Sequence, residues 1–78
     1  MIDTVIKGTQ TIAEYKAVRA DMQKRAALYS ETHMSGCETW EHGKPVKCWR
    51  IDGDGLAIEY EDGQYWQYKQ TEHGLEWW

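Results

Sequence analysis

Seventy-eight residues with a formal net charge of −4 make one domain spanning 1–78, near the lower size at which a single hydrophobic core suffices. That length excludes a substrate domain or a buried cofactor beside the core, and no apolar run approaches the ~20 residues of a membrane helix. Five Trp and five Tyr with no Phe supply large rings for that core, each with a polar handle that needs a partner or water.

The charge is uneven. Residues 1–35 hold five Lys/Arg and four Asp/Glu, a balance of +1; residues 36–78 hold four and nine, a balance of −5. The second half thus disfavours non-specific nucleic-acid binding and favours a basic protein partner, unless its acids only keep an aromatic sheet soluble. The first residues lack the basic region and apolar core of a secretory signal, so a cytoplasmic location is expected. Two cysteines do not make a disulfide-dense framework.

Taken in chain order, Met1 to Gly8 alternates weakly, as suits a short edge strand. Thr11-Ile-Ala-Glu14 fits a capping box, with Thr11 accepting from the Glu14 N–H and Glu14 reaching back to Thr11. An apolar stripe at Ile12, Tyr15, Val18, Met22, Ala26 and Tyr29 predicts a helix from about residue 12 to about residue 31.

A β-meander follows. With Glu61-Asp62-Gly63 as a three-residue loop and Gly63 left-handed, Tyr60 faces Gln64, Ile58 faces Trp66 and Leu56 faces Tyr68. A two-residue turn on Gly53-Asp54 pairs Ile51 with Leu56 and Trp49 with Ile58. A loop around Gly43-Lys44-Pro45 puts Trp40 beside Trp49, and Leu75 to Trp78 forms the last strand. One face then collects Trp40, Trp49, Ile51, Leu56, Ile58, Tyr60, Trp66, Tyr68, Leu75 and Trp77. The other collects Thr39, Glu41, Cys48, Arg50, Ala57, Glu59, Tyr65, Gln67 and Lys69. The expected class is α+β: one long helix packed across a four- to five-stranded antiparallel β-meander. A helix followed by a meander curling round it has the outline of a cystatin-like roll, without the cystatin inhibitory Gln-x-Val-x-Gly pattern.

Catalytic and metal chemistry find little support. His33, Cys37, His42 and Cys48 are potential zinc ligands, but they lack Cys-x2-Cys spacing, and in the register above His42 and Cys48 project from opposite faces. The same register separates Cys37 from Cys48 beyond the ~7 Å limit for a bridge, so both should be reduced. Asp52-Gly-Asp-Gly55 lacks the closing Glu of a calcium loop, since the twelfth residue from Asp52 is Gly63. Ser30 and Ser35 sit in no nucleophile elbow, and a Glu41–Glu59 pair on an open sheet would not exclude water. No enzyme activity, metal or cofactor is expected.

Two binding readings remain. Lys16, Arg19, Lys24 and Arg25 on the helix offer a nucleic-acid surface, but Glu14, Asp21 and Glu31 interleave with them, which reads as a solvated mixed-charge face and argues against direct nucleic-acid binding. A protein-binding patch of Glu41, Arg50, Glu59, Tyr65, Asp54, Asp62 and Trp78 combines aromatics with charge, as interfaces do.

Arg50-Ile51, Gly55-Leu56, Tyr60, Asp62-Gly63 and Trp66 resemble the terminal β-meander of a small bacteriophage anti-CRISPR protein directed at type I systems. The likeness covers about seventeen residues, and size and helix-then-meander order are similar. It implies a stoichiometric inhibitor that blocks a basic nucleic-acid-binding surface of an effector complex. The function expected is therefore a non-enzymatic inhibitor or adaptor that occludes a larger protein or nucleoprotein. The alternatives are a nucleic-acid-binding regulator using the helix basics, and an obligate homodimer in place of a monomer.

Overall fold

The computed structural model describes residues 2–78. It contains β1 (Asp3–Val5), α1 (Ile12–Ser35), β2 (Pro45–Ile51), β3 (Gly55–Tyr60), β4 (Tyr65–Thr71) and β5 (Gly74–Trp77). The five strands form one sheet in the order β1-β2-β3-β4-β5, so the class is α+β with a mostly antiparallel meander. The N-terminal strand departs from that pattern. It pairs parallel with β2, Thr4 opposite Cys48 and Val5 opposite Trp49, because α1 carries the chain across the sheet before β2 begins.

Thr11 caps α1 by accepting from the Glu14 N–H at 3.0 Å. The Glu14 carboxylate accepts from the Gln10 N–H at 3.4 Å, one residue before the partner a capping box prescribes. At the other end the helix runs to Ser35, a full turn past the expected residue 31. Thr32 and Ser35 return their hydroxyls to the carbonyls of Leu28 and Glu31, both at 2.8 Å, so these polar residues do not break the helix. Gly36 closes it by donating to Thr32 O and His33 O.

The helix packs on β1, β2 and β3. Its buried residues are Met22, Ala26, Tyr29, Ser30 and His33. At 24 residues it is about 36 Å long, against about 20 Å for five strands side by side. Its first turn overhangs the sheet, so Ile12 is 76% exposed and the working stripe starts at Val18 instead. Beneath it lie Cys48, Leu56, Ile58, Tyr60 and Tyr68.

The β3–β4 register is as expected, with Leu56 opposite Tyr68 and Ile58 opposite Trp66. Gly63 is left-handed at φ 85°, and Tyr60 donates to Gln64 O at 2.8 Å. The β2–β3 register is not. Ile51 pairs with Gly55, Arg50 with Leu56, Trp49 with Ala57 and Cys48 with Ile58. The connection is the three-residue Asp52-Gly53-Asp54, with Gly53 and Asp54 both left-handed at φ 73° and 63°. One residue more in the turn moves β2 by one position and exchanges its faces. Cys48 and Arg50 therefore lie on the helix side, and Trp49 and Ile51 on the outer side. Cys48 is fully buried against the helix cluster, where the sheet has room for a thiol beside Met22 and Ala26.

Residues 37–44 form no strand, so Thr39 and Glu41 belong to neither face and Trp40 is not beside Trp49. This segment folds over the end of the sheet instead. Trp40 donates its indole N–H to Gly43 O at 2.7 Å and packs on His33, Tyr60 and Trp66. Lys44 donates its N–H to the Glu61 carboxylate at 2.7 Å, tying the segment to the β3–β4 turn.

Gly55 gives a direct test of the β2–β3 register. A Cβ there would lie 2.7 Å from Cδ1 and Cγ1 of Ile51 and 3.0 Å from the Tyr68 carbonyl oxygen. Gly55→Ala should cost about 1–3 kcal/mol of stability, read as a lower urea midpoint at unchanged slope. A wild-type midpoint would contradict the pairing of Ile51 with Gly55.

Candidate functional site

With α1 on one side, the other side of the sheet has no covering layer among the described residues. Pairing places its residues in cross-strand rows. One row runs Val5, Trp49, Ala57, Gln67 and, through reciprocal backbone bonds of 3.1 Å between Gln67 and Trp78, Trp78. The adjoining row runs Asp3, Lys47, Glu59 and Tyr65. On the far side Lys69 stands opposite Glu76.

Trp49 and Tyr65 approach across β3 with ring centroids 5.5 Å apart. Ala57 between them is 0% exposed although it belongs to the outer face and not to the cluster under the helix, so the two rings roof it. Lys47 lies over the Trp49 ring at 5.9 Å. Tyr65 remains 55% exposed and Trp78 58% exposed. The outer face thus carries an aromatic trio, Trp49, Tyr65 and Trp78, among alternating charges.

Of the seven residues the sequence singled out, Glu59, Tyr65 and Trp78 come together here. The other four do not. Arg50 lies on the helix-side parity of β2, turns over the β1 edge and donates to Lys7 O at 3.2 Å. Asp54 is in the β2–β3 turn, where its carbonyl accepts from the Arg25 guanidinium. Asp62 is at the opposite end of the sheet, 2.6 Å from His42 Nδ1, and that hydrogen bond holds its carboxyl below the usual range. Glu41 is exposed in the 37–44 segment. Trp49 and Lys47 were missed, and the signal was present: the loop rule applied at Glu61–Gly63, applied equally at Asp52–Asp54, puts both outside.

The other concentration of chemistry is buried. His33 Nδ1 lies 2.7 Å from the Tyr68 hydroxyl, which lies 2.6 Å from the Tyr60 hydroxyl. Burial pushes the His33 imidazole below its ordinary range and both phenols above theirs. Trp40, Trp66 and Trp77 pack around the His33 ring with centroids 4.9, 5.2 and 4.5 Å away. No buried side-chain polar atom among the described residues lacks a partner. This chain of bonds satisfies the core, so it reads as structural. Cys48 was placed on the exposed face; it is instead buried, donates to Thr4 Oγ1 at 3.8 Å, and burial raises its thiol. Among the described residues no three His, Cys, Asp or Glu side chains gather as a metal site, and no helix is long and apolar enough to cross a membrane.

Comparison with protein-family models, with curated proteins and with solved structures finds no match.

The buried network sets a pH dependence. Burial holds His33 in the folded chain below the 6.5 at which it titrates when unfolded. The unfolded chain therefore binds more protons in that window, and stability falls as pH drops through and below about 6.5. Urea midpoints at pH 7.5 and 5.5 should show the fall, and His33→Gln should flatten it. Tyr68→Phe strands two buried polar partners and should cost about 1–3 kcal/mol; equal stability would contradict the network.

Proposed function

We propose that this protein is a non-catalytic inhibitor or adaptor of the cytoplasm that binds a larger protein or nucleoprotein through the uncovered face of its sheet. The observation that carries this reading is the aromatic trio of half-buried Trp49 and exposed Tyr65 and Trp78, on a face the helix core does not need. Aromatic residues at the centre of a patch with charges around it are the composition of protein interfaces.

Size supports a contact that extends beyond the sheet. Five strands of three to seven residues, about 4.8 Å apart, project about 400 Å², roughly half of what a standard interface takes from each partner. The acidic turns would complete it: Asp52 and Asp54 at one end, Glu61 and Asp62 with Glu41 at the other. Those acids suit a basic partner surface. The meander's resemblance to anti-CRISPR proteins supports the finer reading, occlusion of a basic nucleic-acid-binding surface of an effector complex.

Charge separates this reading from nucleic-acid binding. The outer face alternates Asp3, Lys47 and Glu59 in one row and opposes Lys69 to Glu76, with no continuous basic stripe. On the helix, Arg25 is committed to Asp54 O, the Tyr29 hydroxyl and Asp21.

Affinity capture from lysate of the native host should recover one large complex with the wild-type chain. The W49A/Y65A variant should lose it while still folding, with a stability loss of about 1–3 kcal/mol from the aromatic pair over Ala57. Loss of capture with K16E/K24E in place of W49A/Y65A, or recovery of nucleic acid alone, would transfer the function to the helix.

A further inference from the structure

The outer face is not uniform in charge. Along the β1 edge lies a shallow groove of about 380 Å³ lined by Val5, Lys7, Lys47, Trp49 and Arg50. Three of its five lining residues are cations in a chain of net charge −4. The ion pairs among the described residues are Arg25–Asp21, His42–Asp62 and His73–Glu72, and none of them includes Lys7, Lys47 or Arg50. None of the five lining residues is acidic. Asp3 and Glu59 stand beside Lys47 in its row, but the cations of the groove outnumber them, so a bound anion is favoured there. Trp49 and Val5 supply an apolar floor.

The groove also borders an open strand. β1 is the first strand in the sheet order and has β2 as its one neighbour, so the backbone groups of Asp3–Val5 on the other side have no strand partner. An extended segment laid there would stand about 4.8 Å from β1, with every second side chain over the outer face. Those side chains would fall beside Val5 and Lys7 and within reach of Lys47.

We infer that this edge groove binds an extended acidic peptide segment, added to β1 as a sixth strand, with carboxylates at alternate positions meeting Lys7, Lys47 and Arg50. The inference rests on the outer-face reading above and names the chemistry of the partner segment that meets this edge. Alternation decides between a peptide and a nucleic-acid strand. Asp3 and Glu59 flank Lys47 in its row, and a continuous run of phosphates would pass over them, whereas carboxylates on alternate residues need not. A second copy of this chain is disfavoured as the occupant, since its β1, Asp3-Thr-Val5, would offer a single carboxylate to three cations.

The test uses a capped, fluorescently labelled ten-residue peptide of alternating glutamate and valine, with a ten-nucleotide thymidine strand as comparison. Anisotropy titrations at low salt should show peptide binding that weakens with added salt. The amide signals of Asp3–Val5 and the indole signal of Trp49 should shift on titration. The folded K7E/K47E variant should lose binding about tenfold or more. No peptide binding, binding unchanged in K7E/K47E, or stronger binding of the thymidine strand would each overturn the inference. Partner capture that still depends on Trp49 and Tyr65 in any of these cases would leave the outer-face reading intact and remove only the groove.

Discussion

The turn Asp52-Gly53-Asp54 decides which side of the sheet every residue of β2 occupies, and most of the molecule follows from it. Gly53 and Asp54 both adopt left-handed backbone, a conformation that glycine takes freely and that aspartate tolerates better than most residues. Ile51 then meets Gly55, the one residue in β3 without a side chain, and lies across the space a Cβ would fill. Arg25 reaches from the helix to the Asp54 carbonyl, so the turn is also tied to α1. Shortening the turn by one residue would carry Trp49 under the helix and Cys48 into solvent.

From that register comes the division of labour between the two faces. Under the helix, Cys48, Leu56, Ile58, Tyr60 and Tyr68 make a core whose polar atoms are paired internally. Outside, Trp49 joins Tyr65 over Ala57 and brings Lys47 with it. The same shift sends Arg50 over the β1 edge beside Lys7. A positive edge and an aromatic centre therefore arise from one turn, while the acids remain in the turns at the two ends of the sheet.

Much of the fold was legible in the sequence because its signals were local. Thr11 marked the start of the helix, and Glu61-Asp62-Gly63 set the β3–β4 register through a glycine that must be left-handed. What failed was the two-residue turn on Gly53-Asp54, which turned Trp49 and Ile51 inward. The turn holds one residue more, and Cys48 joins the cluster under the helix instead. The parallel pairing of β1 depends on where the helix delivers the chain, and no local pattern encodes it. Of the site, Tyr65, Glu59 and Trp78 were legible through the hairpin that was read correctly. Trp49 and Lys47 were lost with the hairpin that was not.

The outer face must also be soluble, because 78 residues cannot cover both sides of a five-stranded sheet. The molecule measures 42 × 29 × 17 Å, the thickness of a single helix on a single sheet. Its solution is visible in the pairing: Lys47 opposes Glu59 and Lys69 opposes Glu76, while the β5 edge is a strand of four residues, too short to template another sheet readily. Those devices would work as well with Thr or Gln in place of the aromatics. Tyr65 and Trp78, with half-buried Trp49 beside them, add apolar area that solubility opposes and the core does not use. Their presence on a face otherwise arranged against association is what makes a specific partner, and not folding, the reason for them.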